Sequence, residues 1–135
     1  MGRLSKSCLK EIDKVCKYEY LKKGKGKVNR RIKELRENIS YYDCLMVDIT
    51  HDIEFSDVQT ESKLSKVNTF NKINDTMKSR RKMKDLLKFY AIVQLLYKEG
   101  LNRRNYNRFL SRVRNYTKSC EKRKYRNRVE KGESA

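Results

Sequence analysis

Residues 28–53, VNRRIKELRENISYYDCLMVDITHDI, decide the fold. Apolar side chains recur at Val28, Ile32, Leu35, Ile39, Tyr42, Met46, Ile49 and Ile53, in steps that alternate four and three throughout. Such steps keep returning to one side of a helix, which is the heptad seam of a coiled coil or a long bundle helix. A strand needs an apolar residue at every second position, and that period is missing here. Arg30, Arg31, Lys33, Glu34, Arg36 and Glu37 fill the solvent side. A helix with one apolar side must bury it against other elements, so the expected fold class is all-α, a helical bundle of about four helices.

The flanking segments fit that bundle. Leu4, Cys8, Leu9, Ile12, Val15 and Cys16 have helical spacing, which predicts one helix near 4–22. It is expected to stop at Lys23-Gly24-Lys25-Gly26-Lys27, with Gly24 in the left-handed conformation that ends helices. After a patternless connection from Phe55 to Ser62, a third helix is expected over 64–99. Leu64, Val67, Phe70, Ile73 and Met77 form its first apolar stripe. From Leu86 to Tyr97 apolar groups occupy most of its circumference, as in a helix buried in a bundle or against a second subunit. Gly100 is the expected stop, and Asn102 the cap of a fourth helix over 102–120. There Tyr106, Phe109, Leu110, Val113, Tyr116, Thr117 and Cys120 share about a third of the circle. Residues 1–120 thus read as one domain, and 121–135 as a basic, partly disordered extension.

Composition narrows the function. The 135 residues carry a net charge of +18 with 37% hydrophobic content. The well-spaced apolar residues exclude wholesale disorder. The densest apolar stretch, Leu86 to Tyr97, is interrupted by Lys88 and Gln94, and a bilayer span needs about 18 apolar residues or more. No N-terminal apolar leader is present either, so the expectation is a cytoplasmic protein of a bacterial host cell with no membrane partner. Cys8, Cys16, Cys44 and Cys120 are then expected to be reduced. No Cys-x-x-Cys pair occurs and His51 is the single histidine, so neither a metal site nor a cofactor is expected.

The charge is concentrated. Between Leu101 and Lys131 twelve Lys and Arg face two Glu, a local net of +10. Opposite the apolar stripe of 102–120 the helical wheel holds only Arg, Lys, Asn and Ser, with Arg104, Arg108 and Arg112 forming a ridge at four-residue steps. A solvated face normally mixes signs, whereas neighbouring cations repel and a polyanion relieves them while releasing counterions. Arginine also matches phosphate and guanine edges bidentately. The residues expected to bind nucleic acid are Arg103, Arg104, Arg108, Arg112, Arg114, Lys118, Lys122, Arg123, Arg126 and Arg128. Asn102, Asn105, Asn107 and Asn115 add groups able to bond bases or phosphate, while Tyr106 and Tyr116 read as core. A helix of this kind fits a DNA major groove, and a loose arginine-rich tail at 122–128 fits RNA, so both nucleic acids stay open. Arg80-Arg81-Lys82 and Lys23 to Lys27 are secondary basic clusters.

Acidic residues cluster as well. From Asp43 to Glu61 no Lys or Arg occurs, and Asp48, Asp52, Glu54 and Asp57 are candidates for contact with a host protein. Asp48, His51 and Asp52 share one helix side, the minimal start of a hydrolytic metal site. They read instead as an acidic helix end, and no catalytic activity is expected.

A helix over Ile32–Ile53, the connection Ser56-Asp57-Val58-Gln59-Thr60 and a second helix over Asn71–Tyr97 follow one another in the chain. This arrangement resembles the ArpU family of Gram-positive phage late-gene transcription regulators. The resemblance implies an all-α transcription regulator ending in a helix-turn-helix. After Tyr97, however, Lys98-Glu99-Gly100-Leu101 leads into one unbroken helical pattern, so no base-reading residue is carried over. The expected function is a small non-enzymatic nucleic-acid-binding protein of phage or mobile-element type that regulates transcription. The alternatives are a helical inhibitor of a host nucleoprotein complex, as anti-CRISPR proteins are, and a phage assembly or packaging subunit. A homodimer is expected through Val28–Ile53 or Leu86–Tyr97.

Overall fold

The two longest amphipathic stretches fold as two long helices lying against each other. The structure, a computed structural model, describes residues 3–55 and 63–123. They form α1 (Lys6–Val15), α2 (Tyr18–Lys23), α3 (Lys25–Phe55), α4 (Lys63–Glu99) and α5 (Arg103–Glu121), with no strand among the described residues. The fold is all-α. With 31 and 37 residues at 1.5 Å each, α3 and α4 are rods of roughly 46 and 56 Å. Arg80 pairs with Asp43, while Val28, Ile32 and Leu35 near the start of α3 share a core with Leu86 to Leu96 near the end of α4. The pair is therefore antiparallel.

The core lies at the proximal half of this hairpin. Leu4, Cys8, Ile12 and Val15 come from α1 and its lead-in, Leu21 from α2, and Phe109, Val113 and Cys120 from α5. Four tyrosine hydroxyls tie the helices together across it. Tyr90 donates to Glu11 (2.6 Å), Tyr97 to the Leu21 carbonyl (2.7 Å), Tyr106 to the Cys16 carbonyl (2.6 Å) and Tyr116 to the Asp85 carbonyl (2.8 Å). Each ring buries apolar surface while its hydroxyl finds an acceptor.

Three details differ from the sequence expectations. The first helix is broken at Cys16 and Lys17, where Lys17 turns extended (φ −73°, ψ 132°). That break frees the Cys16 carbonyl for Tyr106 and swings Leu21 fully into the core. Gly24 is not left-handed: its φ is −104° and ψ 16°, and its carbonyl accepts from Val28 N at 2.8 Å to start α3. The left-handed stop is Gly100, with φ 102°.

The third difference is on α4. Thr69, Ile73, Thr76, Arg80, Met83, Leu87 and Tyr90 recur along α4 at heptad steps, a row that begins polar and ends apolar, all of it buried or half-buried, and Arg80 within it pairs with Asp43 of α3. Thr69 and Thr76 satisfy their hydroxyls on the carbonyls of Ser65 and Lys72 one turn back. Of the expected stripe only Ile73 stays half-buried, and the rest turns outward: Leu64 is 71% and Phe70 67% exposed, and Val67 and Met77 are exposed too. A continuous helix has a single phase, and the larger apolar contact at Leu86–Leu96 sets it for the whole of α4. On α3, Val28, Ile32, Leu35 and Ile49 are buried, Ile39, Tyr42 and Met46 half-buried, and Ile53 exposed. Much of the two stretches from which a homodimer was expected packs within the chain, Ile53 and Leu95 staying exposed, and the most exposed apolar residues, Phe55, Leu64 and Phe70, lie on the distal arm.

Candidate nucleic-acid interface

The cationic face begins at the α4–α5 corner. Asn102 caps α5 by accepting from Asn105 N (2.8 Å), and the Asn105 amide donates back to the Glu99 and Gly100 carbonyls (3.2 and 2.8 Å). These two asparagines hold the corner, leaving Asn107 and Asn115 exposed. Phe109, Val113 and Cys120 are buried against the core and Tyr106 and Tyr116 are bonded into it. The opposite side of α5 must then face outward.

At 100° per residue, Arg103, Asn107, Ser111, Arg114 and Lys118, flanked by Arg104 and Lys122, fall within an arc of about 100°. All seven are exposed. The row is roughly 28 Å long. Among the described residues no carboxylate pairs with Arg103, Arg104, Arg114, Lys118 or Lys122.

The expected ridge of Arg104, Arg108 and Arg112 is divided. Glu99, at the end of α4, takes Arg112 at 2.5 Å and Arg108 at 3.4 Å. The hydrogen bond from Arg112 holds the Glu99 carboxyl below its usual range. Arg123, expected in a loose tail, is an anchor instead. Its guanidinium bonds both carboxylate oxygens of Asp85 (2.7 and 3.2 Å), and Asp85 is only 3% exposed. A buried carboxylate needs such a partner, and the hydrogen bond raises the Arg123 pKa further. The folded unit thus extends past residue 120. Three of the sequence-predicted cations lie in internal ion pairs, five stand open on α5, and Arg126 and Arg128 lie outside the described residues.

Sequence reasoning missed Glu99 and Asp85 as partners. Asp85 carried a signal, since it precedes Leu86 by one and Phe89 by four and so shares the phase of the buried residues. Glu99 carried none.

The acidic stretch is elsewhere. Asp48, Asp52 and Glu54 are exposed on the distal half of α3, Asp43 pairs with Arg80, and Asp57 lies outside the described residues, as does the connection Ser56–Thr60. Asp48, His51 and Asp52 are exposed together, and no group of three His, Cys, Asp or Glu among the described residues is placed to hold a metal ion. All four cysteines are free, with Cys8 and Cys120 buried and the Cys16 thiol pushed up to about 12 by burial. No helix of the described residues is long and apolar enough to cross a membrane. Comparisons with protein-family models, with characterised proteins and with solved structures find no match for this chain.

Proposed function

We propose that this chain is a small non-enzymatic nucleic-acid-binding protein of phage or mobile-element type that regulates transcription, with the outward face of α5 laid along a phosphate backbone. One observation carries the reading: five cations on one exposed helix face have no carboxylate partner among the described residues. Arg114, Lys118 and Lys122 follow at four-residue steps, where like charges repel, and a row of phosphates removes that repulsion. The role in transcription draws on the ArpU resemblance of α3 and α4. A second reading, an inhibitor of a host nucleoprotein complex, is favoured by the distal arm, which exposes Asp48, Asp52 and Glu54 and also the apolar Val47, Phe70 and Met77.

The test is a gel-shift panel of duplex DNA, single strands and structured RNA at two salt concentrations. Five phosphate contacts by α5 contribute about −4.5 to the log–log salt slope on duplex, so a fourfold rise in salt weakens that face's binding roughly 500-fold. The variant R103A/R104A/R114A should lose more than half of that slope while remaining helical by circular dichroism. Salt-insensitive binding, or a variant that binds like the wild type, overturns the reading. Co-purification of a host complex together with negligible affinity for free nucleic acid selects the inhibitor.

A further inference from the structure

A second basic surface is built where α1, α2 and α3 meet. Two adjoining open hollows of about 270 and 330 Å³ share Lys14, Tyr20 and Lys27 in their walls. Lys17 and Lys23 border one and Arg30 the other. The acids of the hollow that Arg30 borders are already bound. Glu11 accepts two bonds from Arg31 (2.9 and 3.0 Å) and one from Tyr90, and Glu34 takes Arg31 at 2.6 Å. This leaves Lys14, Lys17, Lys23, Lys27 and Arg30 around the hollows, none in an ion pair among the described residues, with Glu19 the one further acid in the walls.

The charges come from three helices and the break between α1 and α2, so no run on one solvated face brings them together. The break at Lys17 separates α1 from α2, and Gly24, with no side chain, lets the corner after α2 lie close against Tyr20. A concave site whose walls carry an excess of one sign of charge focuses the field more than a convex helix does. Tyr20 supplies an aromatic surface, and the Lys14 ammonium stands 5.9 Å from its ring centre. The hollow that Lys17 borders lies near the N-terminal part of α5. Tyr18, next to Lys17, packs edge-on against Tyr106 at 5.2 Å, and Tyr106 lies one turn from Arg103.

We propose that this cleft binds a backbone phosphate of the same nucleic acid that lies on α5, extending the binding track around the α1–α2 junction. The inference rests on the reading of α5 given above. Its phosphate comes from a duplex or from a single strand, and a single strand can also stack a base beside Tyr20.

The experiment compares the full chain, K14Q/K27Q/R30Q and R103A/R104A/R114A by fluorescence anisotropy on a labelled duplex and on its single strand, across a salt series. The cleft variant is expected to flatten the salt slope by about 2 to 3 on duplex and to weaken binding on the order of a hundredfold at low salt. Loss on both probes assigns a duplex phosphate, and loss on the single strand alone assigns a stranded backbone. All three positions border open hollows, so the urea midpoint should match the wild type. Lys27→Gln alone, read by a slope change near about 0.9, serves if the triple variant is destabilised. A cleft variant with wild-type slope and affinity on both probes, beside an α5 variant that has lost them, overturns the cleft and leaves α5 standing. Absence of salt-dependent binding by the wild type removes both.

Discussion

Gly24 and Gly26 stand two residues apart in a Lys-Gly-Lys-Gly-Lys run, yet the same substitution should have opposite signs at the two. A Cβ on Gly24 would lie 2.5 Å from the Tyr20 carbonyl oxygen and 3.2 to 3.3 Å from two Tyr20 ring carbons. The Gly24 torsions, φ −104° and ψ 16°, are open to alanine, so the cost is one of packing. Ordinary contact requires the corner to move by about 1 Å. Leu21 and Val28, both fully buried, hold it on either side, and the Gly24 carbonyl carries the bond from Val28 N. Overfilling a tight site costs about 1–3 kcal/mol. At Gly26 nothing lies within 4 Å, and alanine in a helix gains up to about 0.5–1 kcal/mol. Taking about 4 °C per kcal/mol, Gly24→Ala should melt roughly 4–12 °C lower and Gly26→Ala about 2–4 °C higher. Thermal and urea unfolding followed by circular dichroism measure both. Equal shifts, or a neutral Gly24→Ala, would refute the close approach of the Gly24 corner to Tyr20, which lines the basic cleft.

Asp85→Ala removes the bidentate partner of Arg123 and should cost about 1–3 kcal/mol, with faster amide exchange at the end of α5. An unchanged urea midpoint would mean the pair does not anchor the helix. The depressed Glu99 pKa means its contribution to stability is complete above the ordinary carboxylate range and disappears as pH falls through the lowered value. The stability gap between wild type and Glu99→Gln should therefore close in acid, and also in high salt because the pair is exposed; a gap independent of pH would contradict the pairing. Thiol labelling of the folded protein should modify Cys44 first, since Cys8 and Cys120 are buried and the Cys16 thiol is pushed up to about 12. Rapid labelling of Cys16 at neutral pH would show that its surroundings are not those described.

Local periodicity and end signals were enough to read the long helices, the Gly100 stop, the Asn102 cap, and Tyr106 and Tyr116 as core residues. Each depends on residues within a turn or two of one another, so the chain states it directly. The break at Lys17 has no local signal, because it is stabilised by Tyr106, which bonds the Cys16 carbonyl from 90 residues away. The first turns of α4 were read with the wrong side inward for a related reason. Leu64, Val67 and Phe70 are the more apolar choice locally, but the far end of the same helix sets the phase.

The same division runs through the candidate interface. That the C-terminal third is cationic, and that one side of its helix is free of apolar groups, follows from the sequence alone. Which guanidinium groups remain open was decided by the tertiary structure, because ion pairing depends on distance in space. Glu99 and Asp85 come from a different helix and reach Arg108, Arg112 and Arg123 only once α4 and α5 are packed.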